Sequence, residues 1–130
     1  MLKRAASERG LPYAAHPLRP AAVTVLLCLS TCPDRAIADR IADALVGEGL
    51  AACVTLLAGA QSVYRWQGRV ERGEEVQLLI KTTRRAFGAM RDRLCVLHPY
   101  EVPELVACEV ADGLPAYLEW IAREAVGPRS

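Results

Sequence analysis

No apolar stretch in these 130 residues approaches the ~18 that a membrane-spanning helix requires. The longest, Ala21–Leu29, is interrupted by Thr24. No membrane association is therefore expected. There is no Cys-x-x-Cys pair and no zinc-knuckle spacing, and the five cysteines, Cys28, Cys32, Cys53, Cys95 and Cys108, are odd in number. That usage fits free thiols in a reducing compartment better than a disulfide framework. A secretory signal is not expected, because Ser7, Glu8, Arg9, Pro12, His16 and Arg19 break any apolar run after the first charges. The cytoplasm is the expected location. Also missing are a Gly-rich phosphate loop, an HExxH helix and a Ser–His–Asp set, since His16 lies far from His98 in the N-terminal segment. The protein is not expected to be an enzyme.

Charge of one sign is scarce too. The formal net charge is +1, with Lys3, Arg4, Arg9 and Arg19 set against Glu8 in residues 1–22. The remainder is slightly acidic, which argues against nucleic acid as a partner, since that requires a concentrated basic face. Residues 1–22 read as a basic, flexible tail and residues 23–127 as one domain.

What is present is a regular alternation of strands and helices. Ala22–Ser30 is a continuous apolar and β-branched run, the pattern of a strand buried on both faces. Thr31, Pro33 and Asp34 read as a helix start with Thr31 as the cap, and Ile37, Ile41 and Leu45 form its stripe before Gly47–Gly49. Ala51–Leu57 and Ser62–Trp66 read as extended, interrupted at Gly59. Gln67-Gly68 and Arg72-Gly73 punctuate a long hairpin before the strand Glu75–Thr82. Thr83 can cap a second helix carrying Phe87, Met90, Leu94 and Leu97, which ends at His98-Pro99. Glu104–Val110 reads as a fourth strand, and Leu114–Ala125 as a last helix.

The order β-α-β-β-α-β plus a terminal helix predicts an α+β, ferredoxin-like sandwich with two helices on one face of an antiparallel sheet. Its first and third strands are apolar on both faces: Val25, Leu27 and Leu29 against Leu26 and Cys28, and Val76, Leu78 and Ile80 against Leu79. A sheet face without helices needs a partner, so a homo-oligomer is expected, with the terminal helix as an alternative cover. Cys28, Cys53, Cys95 and Cys108 are expected among apolar neighbours as inert core.

Four blocks carry a resemblance: Leu50–Val54, Val63–Gly68, Glu74–Thr83 and His98-Pro-Tyr-Glu-Val-Pro-Glu-Leu105. In this order and spacing they resemble the divalent-cation-tolerance (CutA) family from about Val23 to Ala125. The resemblance implies a homotrimer related in architecture to the PII signalling proteins, with the long β2–β3 hairpin as an arm between subunits. It also implies copper or another divalent cation as ligand.

The chemistry-bearing residues are few. His98 matches a family histidine associated with a metal site, and Glu75 matches a family carboxylate at the foot of the third strand. Cys32 is expected at the opening of the first helix, where unpaired N–H groups favour a thiolate suited to copper or zinc. The candidate metal set is thus Cys32, Glu75 and His98. Ser30 stands where the resemblance implies a copper-ligating cysteine, and Leu97 where it implies a second histidine. Trp66, Lys81 and Tyr100 are expected to line an inter-subunit cleft. That cleft would suit a small anion or a partner protein in a PII-like sensor, the alternative to a metal-binding role.

Overall fold

The computed structural model of the protein describes residues 23–128, so the tail expected over 1–22 lies outside the described residues. Its elements are β1 (Val25–Cys32), α1 (Arg35–Gly47), β2 (Cys53–Trp66), β3 (Arg69–Thr83), α2 (Arg84–Leu97), β4 (Val106–Glu109) and α3 (Pro115–Glu124). The four strands form one antiparallel sheet in the order β2-β3-β1-β4. This is the expected ferredoxin-like order with an added C-terminal helix.

Two local expectations need correction. β1 runs on through Thr31 and Cys32, which pair with Gln77 and Val76 of β3. The cap of α1 is therefore Asp34 and not Thr31; its carboxylate accepts the Ile37 N–H at 2.9 Å. A long β3 offers β1 continued ladder partners, and that pairing outcompetes an earlier helix start. Likewise β3 begins at Arg69 and not at the expected Glu75, running through Arg72-Gly73 without interruption. β2 and β3 pair out to Trp66 and Arg69, joined by Gln67 and Gly68 with φ of 49° and 79°. Two positive φ values in a two-residue loop match the strand twist, as hairpin turns require.

β4 is shorter than its apolar pattern suggests. The ladder with β1 covers Val106–Glu109, with the Val110 N–H still donating to the Val25 carbonyl at 2.9 Å, while at the other end the Glu104 carbonyl accepts the Ser30 hydroxyl at 2.7 Å. Thr83 caps α2 as expected, accepting the Ala86 N–H, and its hydroxyl also donates to the Ala125 carbonyl at 2.6 Å. That second bond ties the end of α3 to the start of α2.

Alternation along the strands separates two faces. Leu26, Cys28, Cys32, Val76, Leu78 and Ile80 pack under Ile41, Leu45, Met90 and Leu94 as the main core. The opposite face is covered at one end only, where Val25 and Ala52 meet Ile121 of α3 and Ala125, the residue that ends it. Beyond α3, Leu29 and Leu79 are half-buried cross-strand partners, while Leu57 and Val106 are 47% and 52% exposed. The terminal helix thus shields one end of this face and leaves the rest open. Cys95 and Cys108 are exposed and Cys53 is half-buried, so of the four cysteines read as core only Cys28 is enclosed.

Candidate functional site at the sheet end

The C-terminal end of β1 brings together residues from three distant segments. His98, the residue that ends α2, is only 6% exposed. Its Nε2–H donates to the Thr31 carbonyl at 2.7 Å, and its Nδ1 accepts the Tyr100 N–H at 3.1 Å. Those two contacts define the neutral Nε2–H tautomer. The His98 and Tyr100 rings lie 4.8 Å apart, which brings the Tyr100 hydroxyl to 3.4 Å from Glu75 Oε2. The other carboxylate oxygen accepts the Ser62 hydroxyl at 2.5 Å. Glu75 is therefore clamped between the hairpin arm and the loop after α2.

Cys32 stands close by in a different environment from the one expected. As the last residue of β1 it is fully buried, and no helix N-terminus supports its thiolate. Burial, then the nearby Glu75 and Asp34 charges, push its thiol from 9.0 up to about 11. Cys28 is likewise raised to about 11, by burial first and then by Cys108. Both stay protonated near neutrality.

A pH dependence follows. An acid whose pKa rises on folding binds its proton more tightly in the native state, so stability falls where the unfolded chain has already lost that proton. For Cys28 and Cys32 the contribution is complete below about pH 9 and is lost as pH rises towards 11. Tyr100 and Tyr117, both raised chiefly by burial, act in the same direction above pH 10. The urea midpoint should therefore drop between pH 8 and pH ~10.5. A Cys28→Ala/Cys32→Ala variant should show a smaller drop, and equal slopes in the two proteins would contradict the assignment.

Within the chain the three candidate ligands do not close on a single point. Cys32 pairs with Val76, so its side chain shares the helix-covered face; Glu75, one residue earlier, faces the other way. His98 has both ring nitrogens engaged. Among the described residues no three His, Cys, Asp or Glu groups lie close enough to hold an ion. Glu75 turns its carboxylate towards the open face, as does Glu71, the partner of Tyr64 nearer the hairpin turn.

The cleft residues are also spread out. Trp66 is 60% exposed beside the hairpin turn, paired with Arg69. Lys81 lies at the opposite end of β3, roughly 40 Å along an extended strand. Its Nζ donates to Thr55 Oγ1 at 2.6 Å. Tyr100 sits between the two, at Glu75. The sequence marks Ser30 only by the cysteine that the resemblance implies there, and gives no sign of Ser62 or Thr55. Their contacts cross 74, 13 and 26 residues, and single hydroxyls leave no periodic signal at such separations.

These blocks and this topology were compared with known proteins. The model of the family described as CutA1 divalent ion tolerance protein matches residues 26–124. The chain belongs to the CutA1 family. The divalent-cation tolerance protein CutA of Thermus thermophilus is 50% identical over 99 residues, covering 76% of this chain and 95% of that protein. The CutA of Pectobacterium atrosepticum is 46% identical over 97 residues, covering 75% and 86%. Among solved structures, CutA from Xylella fastidiosa superposes with a TM-score of 0.76 at 54% identity, covering 78% of this chain and 97% of that one. Membership fixes the CutA1 fold, and the family is named for tolerance to divalent ions and not for a reaction.

Proposed function

We propose that this chain serves divalent-cation tolerance as a cytoplasmic homotrimer that meets a copper-type cation at the Glu75 end of its sheet. The observation that carries this reading is the clamp on Glu75. Ser62 and Tyr100 orient a carboxylate on the same face that carries the uncovered Leu29, Leu57, Leu79 and Val106. Assembly through that face would bring neighbouring copies of the site, and of the aromatic arm, towards one another. Cys32 and His98 join as ligands only if the thiol loses its proton and the ring gives up Thr31 or Tyr100. Cation binding through Cys32 would then release a proton and strengthen with rising pH.

Titration of the reduced, metal-free protein with copper(I), copper(II) and zinc tests this, beside Glu75→Gln, Cys32→Ser and His98→Ala. The expected result is about one ion per subunit, with affinity at least ~10-fold weaker in Glu75→Gln, equivalent to ~1.4 kcal/mol. Isotherms unchanged in all three variants would overturn the site.

One observation favours a second reading, a PII-like sensor of a small anion in a cleft lined by Trp66, Lys81 and Tyr100. Lys81 has no carboxylate within ion-pair distance among the described residues, which leaves its charge available to an anion. Anion-dependent thermal stabilisation lost in Lys81→Met would support it.

A further inference from the structure

The sixteen basic residues of this chain are almost all arginine; the two lysines are Lys3 and Lys81. Lys81 is thus the one lysine among the described residues, and it stands beside a cysteine. Cys53 and Lys81 are direct cross-strand partners in the β2–β3 ladder, and alternation sends both side chains to the face opposite α1 and α2. Lys81 Nζ lies 3.7 Å from Cys53 Sγ. Thr55 Oγ1 completes a triangle, 2.6 Å from the nitrogen and 4.0 Å from the sulfur. Tyr117 of α3 reaches the same sulfur with its hydroxyl. The amine is therefore held against a half-buried sulfur and, among the described residues, no carboxylate competes for it. Arginine in this place would offer charge but no usable nucleophile; an amine offers both.

We propose that Cys53 and Lys81 form a site of oxidative cross-linking, at which hydrogen peroxide drives a covalent Nζ–Sγ sulfenamide bond between β2 and β3. In the first step the Cys53 thiolate attacks one peroxide oxygen. The O–O bond breaks and the second oxygen leaves as water, taking up the thiol proton and giving the sulfenic acid. In the second step Lys81, its ammonium proton released to solvent, attacks the sulfur with its lone pair. The S–O bond breaks, and hydroxide leaves as water with a proton from the nitrogen. The sum is thiol plus amine plus hydrogen peroxide giving sulfenamide plus two waters, with sulfur oxidised by two electrons and peroxide reduced. The flexible four-carbon stem of lysine closes the remaining gap to bonding distance. The product fastens the base of the hairpin beneath α3, and a thiol reductant reopens it by attack on sulfur.

The test treats the full chain with hydrogen peroxide at pH 8 and digests it with a protease that does not need Lys81. Expected is a Cys53–Lys81 linked peptide lighter by two hydrogens, lost on adding dithiothreitol, with Lys81 protected from amine acylation until reduction. In Lys81→Arg, Cys53 should instead be trapped by dimedone as its sulfenic acid. If tandem mass spectrometry of the wild-type chain finds the lost hydrogens only in disulfides, or finds Cys53 as thiol or sulfinic acid with Lys81 still acylated, the proposal is overturned. That wild-type result decides the matter even if the variant fails to fold.

Discussion

Replacing Leu79 with aspartate should turn the proposed trimer into folded monomers. Leu79 occupies the centre of the uncovered sheet face, opposite Leu29 in β1 and Thr55 in β2. In the single subunit it is half-buried, so a carboxylate there keeps much of its hydration and the core beneath α1 and α2 is untouched. In an assembly that covers this face the same carboxylate loses its water, and Lys81, held at Thr55 beside it, compensates that charge only in part. A buried charge left without full compensation costs up to about 3–5 kcal/mol, here once per subunit. That is enough to dissociate a micromolar assembly. The wild-type chain should sediment as three subunits, with a melting temperature that rises with protein concentration. Leu79→Asp should sediment as one, with its far-ultraviolet circular dichroism retained. Cys108, exposed on the same face, offers an independent check: it should resist alkylation in the wild type and react as fast as Cys95 in the variant. A variant that still sediments as a trimer would move the contact to another surface.

Replacing His98 with alanine should destabilise the metal-free protein by about 1–3 kcal/mol, chiefly through the buried Thr31 carbonyl left unsatisfied, the part-buried Tyr100 N–H adding less because water can reach it. The ring satisfies the Thr31 carbonyl with one nitrogen and the Tyr100 N–H with the other. It thereby pins the loop that carries Tyr100 against the end of β1. Ser30 makes the second fastening of that loop, at Glu104. Urea unfolding in the presence of a chelator measures the loss, and amide exchange should quicken through residues 99–105 while β1 and β3 keep their protection. A cost below ~0.5 kcal/mol would mean that these bonds hold nothing in place. The chelator matters: a histidine that acts only as a metal ligand would show no deficit under these conditions.

The helices and inner strands could be read from the sequence because each announces itself over several residues. Ile37, Ile41 and Leu45 repeat at helical spacing, Thr83 has a capping side chain in the right place, and His98-Pro99 stops a helix on steric grounds. The resemblance added the family and grouped the right segments. Local pattern misled where two local signals competed. Thr31 is a good cap and Cys32 a plausible first-turn residue, but ladder pairing with Gln77 and Val76 is a non-local interaction that no short window contains. That single displacement turned a cysteine expected at a helix dipole into a protonated core thiol. The Glu75 clamp was half legible. Glu75 and Tyr100 were singled out for their chemistry, whereas Ser62 depends on how β2 is registered against β3.

That register depends on one irregularity. Between Leu57 and Ala60 the β2 strand takes three steps while β3 takes two, from Gln77 to Glu75, at a point where Gly59 has φ of 82°. The extra residue works as a frameshift does in a coding message: every side chain downstream is read out on the other side. Before it, odd-numbered residues of β2 face away from the helices; after it, Ala60, Ser62, Tyr64 and Trp66 do. Insertions or deletions of two residues between the bulge and the turn would keep the arm's phase, while a change of one would swap Tyr64 and Trp66 for Val63 and Arg65. Tolerance to length variation in this arm should therefore follow parity rather than distance.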